Sequence, residues 1–117
     1  MEFWEAVDRL VASGAPVIDR PQGSAHPRYP DLIYPLDYGY LDGTTGGDGA
    51  GIDIWLGSGN LQQPTGVLCT VDLVKRDAEV KILLGCTPDE MEIIANFSGA
   101  DRMGYVLVER PTYPNKD

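Results

Sequence analysis

The chain has 117 residues, enough for one domain with a modest core and too few for two. Hydrophobic residues make up 43% and charged residues 23%, ordinary for a globular chain, and no run approaches the ~18 apolar residues of a membrane span. The net charge of −9, from 18 acids against 9 bases, excludes the clustered Lys and Arg on which nucleic-acid binding rests, and suits a protein that binds cations or meets anions across a metal.

The first residues, MEFWEAVDRL, have no basic n-region and no apolar h-region. They do not read as a signal peptide, and the expected compartment is the cytoplasm. Residues 2–13 place Phe3, Trp4, Val7, Leu10 and Val11 on one stripe, which predicts a short helix. Gly14 and Pro16 mark its end. APVIDR (15–20) reads as a strand. PQGSAHPRYPD (21–31) holds three prolines and a glycine, so it is irregular, with His26 a surface-loop histidine.

LIYPLDYGYL (32–41) is extended and aromatic, and DGTTGGDGAG (42–51) is a loop. GIDIWLG then alternates, with Ile52, Ile54 and Leu56 on one face and Asp53 and Trp55 on the other. After a turn at SGNLQQPTG come two long β segments, GVLCTVDLVKRD and AEVKILLGC. Val67, Cys69, Val71 and Leu73 share a face of the first. Cys69 and Cys86 sit among apolar residues and read as reduced, half-buried core thiols. One His and no CxxC argue against zinc.

Thr87, Pro88 and Glu90 are a helix start with a capping box. Met91, Ile94, Ala95 and Phe97 form that helix's apolar stripe. YVLVERP is a last strand and PTYPNKD a frayed tail. Five or six strands with helices toward the two ends predict one α+β domain over residues 1–117: a small barrel or strongly curved sheet with helices packed outside.

The residue that most needs an explanation is Asp53, in the middle of an apolar strand where charge is costly. If strands pair sequentially, Asp48, Asp53 and one or both of Asp72 and Asp77 converge at one mouth of the barrel. Convergent carboxylates call for a cation, and oxygen ligands without His or Cys select Mg²⁺ or Ca²⁺. Taken singly, Asp42, Asp48 and Asp72 read first as turn or surface residues.

The stretch VIDRPQGSAHPRY…IYPLDYGYLDGTTGGDGAGIDIWL resembles the soluble Mg²⁺-dependent inorganic pyrophosphatases. Tyr34-Pro35-Leu36-Asp37-Tyr38-Gly39-Tyr40 matches the family's tyrosine segment, and Asp48-Gly49…Ile52-Asp53 has the spacing of its Asp-Gly-Asp-Pro-Leu-Asp signature. The match is good over residues 17–57 and thins to a trace by residue 84.

The resemblance implies a five-stranded, OB-like barrel with outer helices, and Mg²⁺-dependent (or Mn²⁺-dependent) hydrolysis of pyrophosphate or a related phosphoanhydride. It implies Asp48, Asp53 and Asp77 as metal ligands, with Asp72 at the offset of a partner aspartate and Asp19 ordering metal-bound water. Arg28, Tyr34, Tyr38 and Lys81 would meet or support phosphate, with Asp53 and Tyr38 at the chemical centre. Family barrels tend to assemble, so a homo-oligomer is expected, with Phe3 and Trp4 a candidate contact.

Three departures stand out. Ala50 and Gly51 replace the signature's middle Asp and its Pro, Glu79 stands where the family has Lys, and a segment with a phosphate-binding Arg is missing between Tyr29 and Leu32. Two readings therefore stay open: a diminished diphosphatase, or a non-catalytic module of the same fold that binds metal, phosphate or a protein partner.

Overall fold

The computed structural model describes residues 1–112; most of the expected frayed tail, from residue 113 on, lies outside them. The elements are α1 (Phe3–Ser13), β1 (Ala15–Arg20), β2 (Asp37–Asp42), β3 (Ile52–Leu56), β4 (Pro64–Asp72), β5 (Asp77–Leu84), α2 (Pro88–Ala100) and β6 (Gly104–Glu109). Among the described residues, no helix is long and apolar enough to cross a membrane.

The strands form one sheet in the order β1-β2-β3-β5-β4-β6. All neighbours are antiparallel except β3 and β5. The domain is α+β, as expected, but the sheet is open and six-stranded rather than a five-stranded closed barrel. The reason lies at β4: its outer edge is taken by β6, from Gly66↔Glu109 to Val71↔Gly104, so it is not free to pair with β1.

Alternation along the strands gives the sheet two apolar faces. Trp4, Val7 and Val11 of α1 pack on Leu41, Ile54, Leu56, Val67, Ile82 and Leu84. Met91 and Ile94 of α2 pack on Tyr38, Trp55, Leu68 and Leu83, with Tyr34 and Cys86 beside them. Each helix thus covers its own face. Phe3, expected on the buried stripe, is 54% exposed.

Local chemistry sets the boundaries. Thr87 Oγ1 accepts from Glu90 N at 3.2 Å and Glu90 Oε1 accepts from Thr87 N at 2.9 Å, the expected capping box. Glu2 caps α1 by accepting from Glu5 N. Leu73, expected to extend the apolar face of β4, is instead 84% exposed, because the β4–β5 turn begins after Asp72. The extended segment 32–41 narrows to a strand only at Asp37; its earlier part makes one isolated bridge, Ala25↔Ile33. Arg110, just past β6, clamps Asp8 of α1 through two hydrogen bonds at 2.6 and 2.9 Å.

Candidate functional site

Gly39 lies where β1 and β2 press together; a Cβ there would collide with the Val17 carbonyl. That close approach is why the tyrosine segment alternates Tyr-Gly-Tyr. It also places Tyr38 opposite Trp55 on β3. Tyr34, Tyr38 and Trp55 form an aromatic cluster with centroids 4.8 to 5.7 Å apart, and Phe97 of α2 closes it from above.

At the edge of this cluster stands Lys81 of β5, only 6% exposed. Its ammonium donates to Tyr38 Oη at 2.8 Å, Asp53 Oδ2 at 2.9 Å and Glu79 Oε2 at 3.2 Å. Three donors meet three acceptors, which is how a buried ammonium is tolerated. Burial opposes its charge, but the Tyr38 and Asp53 partners outweigh burial and raise the Lys81 pKa. Burial likewise works against the Asp53 carboxylate, yet the Lys81 charge and hydrogen bond hold its pKa below the usual carboxylate range. Glu79 goes the other way: burial raises it and the neighbouring Asp53 charge adds to that, against the pull of Lys81. Burial pushes the Tyr38 hydroxyl above its ordinary range.

Asp53 and Lys81 are neighbours because they occupy the register step just before Ile54↔Ile82 on adjacent parallel strands. The parallel pairing of β3 and β5 runs only over Ile54↔Ile82, Trp55↔Leu83 and Leu56↔Leu84. Beside this end of the pairing is a small cleft of about 20 Å³, lined by Gly46, Gly47, Asp48, Gly51, Asp53 and Glu79 among others. It has room for about one water-sized particle.

Asp48 and Asp53 therefore do share a cleft, as expected, with Glu79 as the third carboxylate. Asp48 is exposed, and its Oδ1 accepts from Ala50 N at 3.0 Å, forming a turn. Asp72 and Asp77 do not join them. The expectation assumed sequential pairing, but β3 pairs with β5, which leaves Asp72 and Asp77 facing each other at the far β4–β5 turn. Asp72 Oδ1 accepts from Val74 N and Lys75 N at 2.9 and 3.1 Å. The backbone bond from Lys75, with that from Val74, lowers its pKa against slight burial.

Asp19 is the extra residue of a bulge between Ile18 and Arg20, and it is exposed. The bulge brings Arg20 opposite Tyr38 instead. Arg20 donates a short hydrogen bond to Tyr34 Oη and lies 5.6 and 5.7 Å from the Tyr34 and Tyr38 centroids. Arg20 and Glu79 are the two site residues that sequence reasoning missed; the strand register was the only signal for either. Arg28 is exposed and does not line the cleft. The hydroxyls of Tyr34 and Tyr38 are taken by Arg20 and Lys81, so both tyrosines hold the site in place rather than face outward. His26 is no loose surface residue: Nδ1 accepts from Arg28 N and Tyr29 N, and Nε2 lies 3.3 Å from Asp101 Oδ2. Both cysteines are free thiols; Cys86 is buried, and burial pushes it up to about 12.

Among the described residues, no group of three or more His, Cys, Asp or Glu side chains is placed to hold a metal ion. What the cleft offers is less: Asp53 and Glu79, both bonded to the Lys81 ammonium, with Asp48 on the same lining. Mg²⁺ typically takes one or two carboxylates and completes its shell with water and substrate phosphate. No family model, no curated protein and no solved structure matches the chain.

Proposed function

We propose that this chain is a pyrophosphatase-like phosphoanhydride hydrolase of low turnover, acting with Mg²⁺ at the cleft lined by Asp48, Asp53 and Glu79. The observation that carries the proposal is the Lys81 network. It joins Tyr38 of the tyrosine segment to Asp53 of the signature, the two pieces of sequence on which the family resemblance rests. The strand order β1-β2-β3-β5-β4, with β3 and β5 parallel, also supports kinship with an OB-like barrel that β6 has capped.

In this reading Asp53 and Glu79 would hold the cation, with Asp48 on the same lining, and Mg²⁺ would supply an activated water and offset phosphate charge. Lys81 fixes the Asp53 carboxylate in its ionised form, and Tyr38 fixes Lys81. The low turnover follows from Ala50, which leaves the signature without its middle carboxylate; losing a positioned base costs ~10²–10⁴-fold. The test is phosphate release from pyrophosphate with Mg²⁺ or Mn²⁺. Release above background that Asp53→Ala abolishes is expected; equal background release from both proteins refutes the reading.

One observation favours a second reading, a non-catalytic binding module. Lys81 already supplies Asp53 with a cation at 2.9 Å. Calorimetric titration of Mg²⁺ and pyrophosphate separates the two: tight binding without turnover selects the module.

A further inference from the structure

The sheet ends on β6, and the outer edge of that strand is open. Arg110 N donates to Thr65 O at 2.9 Å, so residue 110 turns its backbone toward β4. Antiparallel neighbours alternate between bonded and non-bonded pairs, so Val108↔Val67, Val106↔Cys69 and Gly104↔Val71 continue that inward set. Tyr105, Leu107 and Glu109 therefore turn their N–H and C=O groups away from β4. Among the described residues, no hydrogen bond reaches those groups. An unpaired strand edge is a template for another strand. The opposite edge of the sheet, β1, is guarded: it carries Pro16 and a bulge at Asp19. β6 has no proline, pairs with β4 without a register shift, and keeps its single charge, Glu109, at its end. Tyr105, Val106 and Val108 are 45%, 55% and 41% exposed.

We infer that β6 pairs antiparallel with β6 of a second copy of this chain, joining two sheets edge to edge about a two-fold axis at Leu107. The strand's own sequence selects this occupant. With Leu107 opposite the partner's Leu107, Tyr105 stands opposite the partner's Glu109. Every outward residue then meets another outward residue, and each such pair exchanges both of its backbone hydrogen bonds. On the α1 face, Val106 lies beside the partner's Val108, a β-branched cross-strand pair. This register also keeps Glu109 away from the partner's Glu109; an axis at residue 109 would set the two carboxylates directly opposite, which is destabilising. The strand is thus complementary to itself, as a two-fold contact requires. Trp4, one of the contact residues expected from sequence, is buried with Arg110 5.5 Å over its ring, so it is not open to a second copy. Each chain carries a net charge of −9, so repulsion opposes the dimer and salt tightens it. The inference is independent of the hydrolase reading.

The experiment is sedimentation equilibrium of the full chain up to about 1 mM, a Kd scale at which association is marginal. The mass should rise from one chain to two with concentration, and Kd should fall at least about threefold between about 0.05 and 0.5 M salt. Glu109→Pro removes an outward N–H that β4 does not use, and Val106→Glu sets like charges diagonally across the axis. Each should raise Kd at least about tenfold while far-ultraviolet circular dichroism stays that of the parent chain. Crosslinking reads the register. In a Cys69→Ser chain, Leu107→Cys should oxidise to a covalent dimer, because a bonded antiparallel pair holds its Cα atoms about 5.5 Å apart, within disulfide reach. Tyr105→Cys should not, because its copy lies several residues away along the pair. A single-chain mass at every concentration overturns the inference. So does a dimer that survives Glu109→Pro and Val106→Glu but dissociates in Phe3→Glu, and so does crosslinking through Tyr105→Cys in place of Leu107→Cys.

Discussion

The ammonium of Lys81 donates to the Asp53 carboxylate at 2.9 Å, one step before the point where β3 and β5 begin to pair. The ion pair joins side chains of two parallel strands at the step before Ile54↔Ile82 and keeps Asp53 ionised.

Removing the cation while keeping the bulk tests this directly. Lys81→Met leaves Asp53 charged, half-buried and unpaired, and should cost about 3–5 kcal/mol, the range for breaking one side of a buried pair. Urea denaturation measures it. Mg²⁺ should raise the melting temperature of Lys81→Met more than that of the parent chain, since the ion then takes the ammonium's place beside Asp53.

The Asp8–Arg110 clamp sets a pH dependence. The hydrogen bond from Arg110 and its charge lower the Asp8 pKa despite slight burial. A lowered folded-state pKa contributes stability above the unfolded value of ~3.9, and that contribution is lost as pH falls through the folded value. Asp8→Asn should therefore lower stability at pH 7, by no more than about 1 kcal/mol because the pair is partly exposed. The difference from the parent should vanish at strongly acid pH. Thermal melts across pH check both points.

Gly39 is a packing position. Its absent side chain lets the Val17 carbonyl approach β2. Gly39→Ala forces β1 outward and should cost at least about 1–3 kcal/mol, the usual range for overpacking. It should also loosen Arg20 from Tyr34, visible as weaker near-ultraviolet circular dichroism from the tyrosine cluster.

Under the hydrolase proposal, Ala50 is the residue to which low turnover is assigned. Ala50→Asp returns a carboxylate to the signature and should raise kcat for pyrophosphate by up to ~10²-fold, the lower part of the range for a positioned base. Steady-state kinetics at saturating Mg²⁺ checks this. An unchanged kcat would mean that the cleft lacks more than its base.

The parts of this molecule written in local sequence were legible without the structure. The capping box of α2, its stripe of Met91, Ile94 and Ala95, and the alternation of β3 are all decided within a few residues. Asp53 stood out for the same reason, as a charge on an apolar strand, and Tyr38 and Lys81 came with it through the resemblance. What failed was non-local. Nothing between β3 and β5 announces that β4 will be skipped, so Asp72 and Asp77 were assigned to a site that Glu79 joins instead. A single bulged residue exchanged Asp19 for Arg20. The closed barrel failed likewise, because β6 competes for the β4 edge from 32 residues beyond β4, outside any window that periodicity can read.

The most direct test of the central claim sets three proteins side by side for phosphate release from pyrophosphate across a Mg²⁺ titration: the parent chain, Asp53→Ala and Asp72→Ala. The account predicts Mg²⁺-dependent release by the parent, none above background by Asp53→Ala, and parent-like release by Asp72→Ala. Release that persists in Asp53→Ala, or that disappears in Asp72→Ala, would contradict the placement of the site at the cleft lined by Asp53.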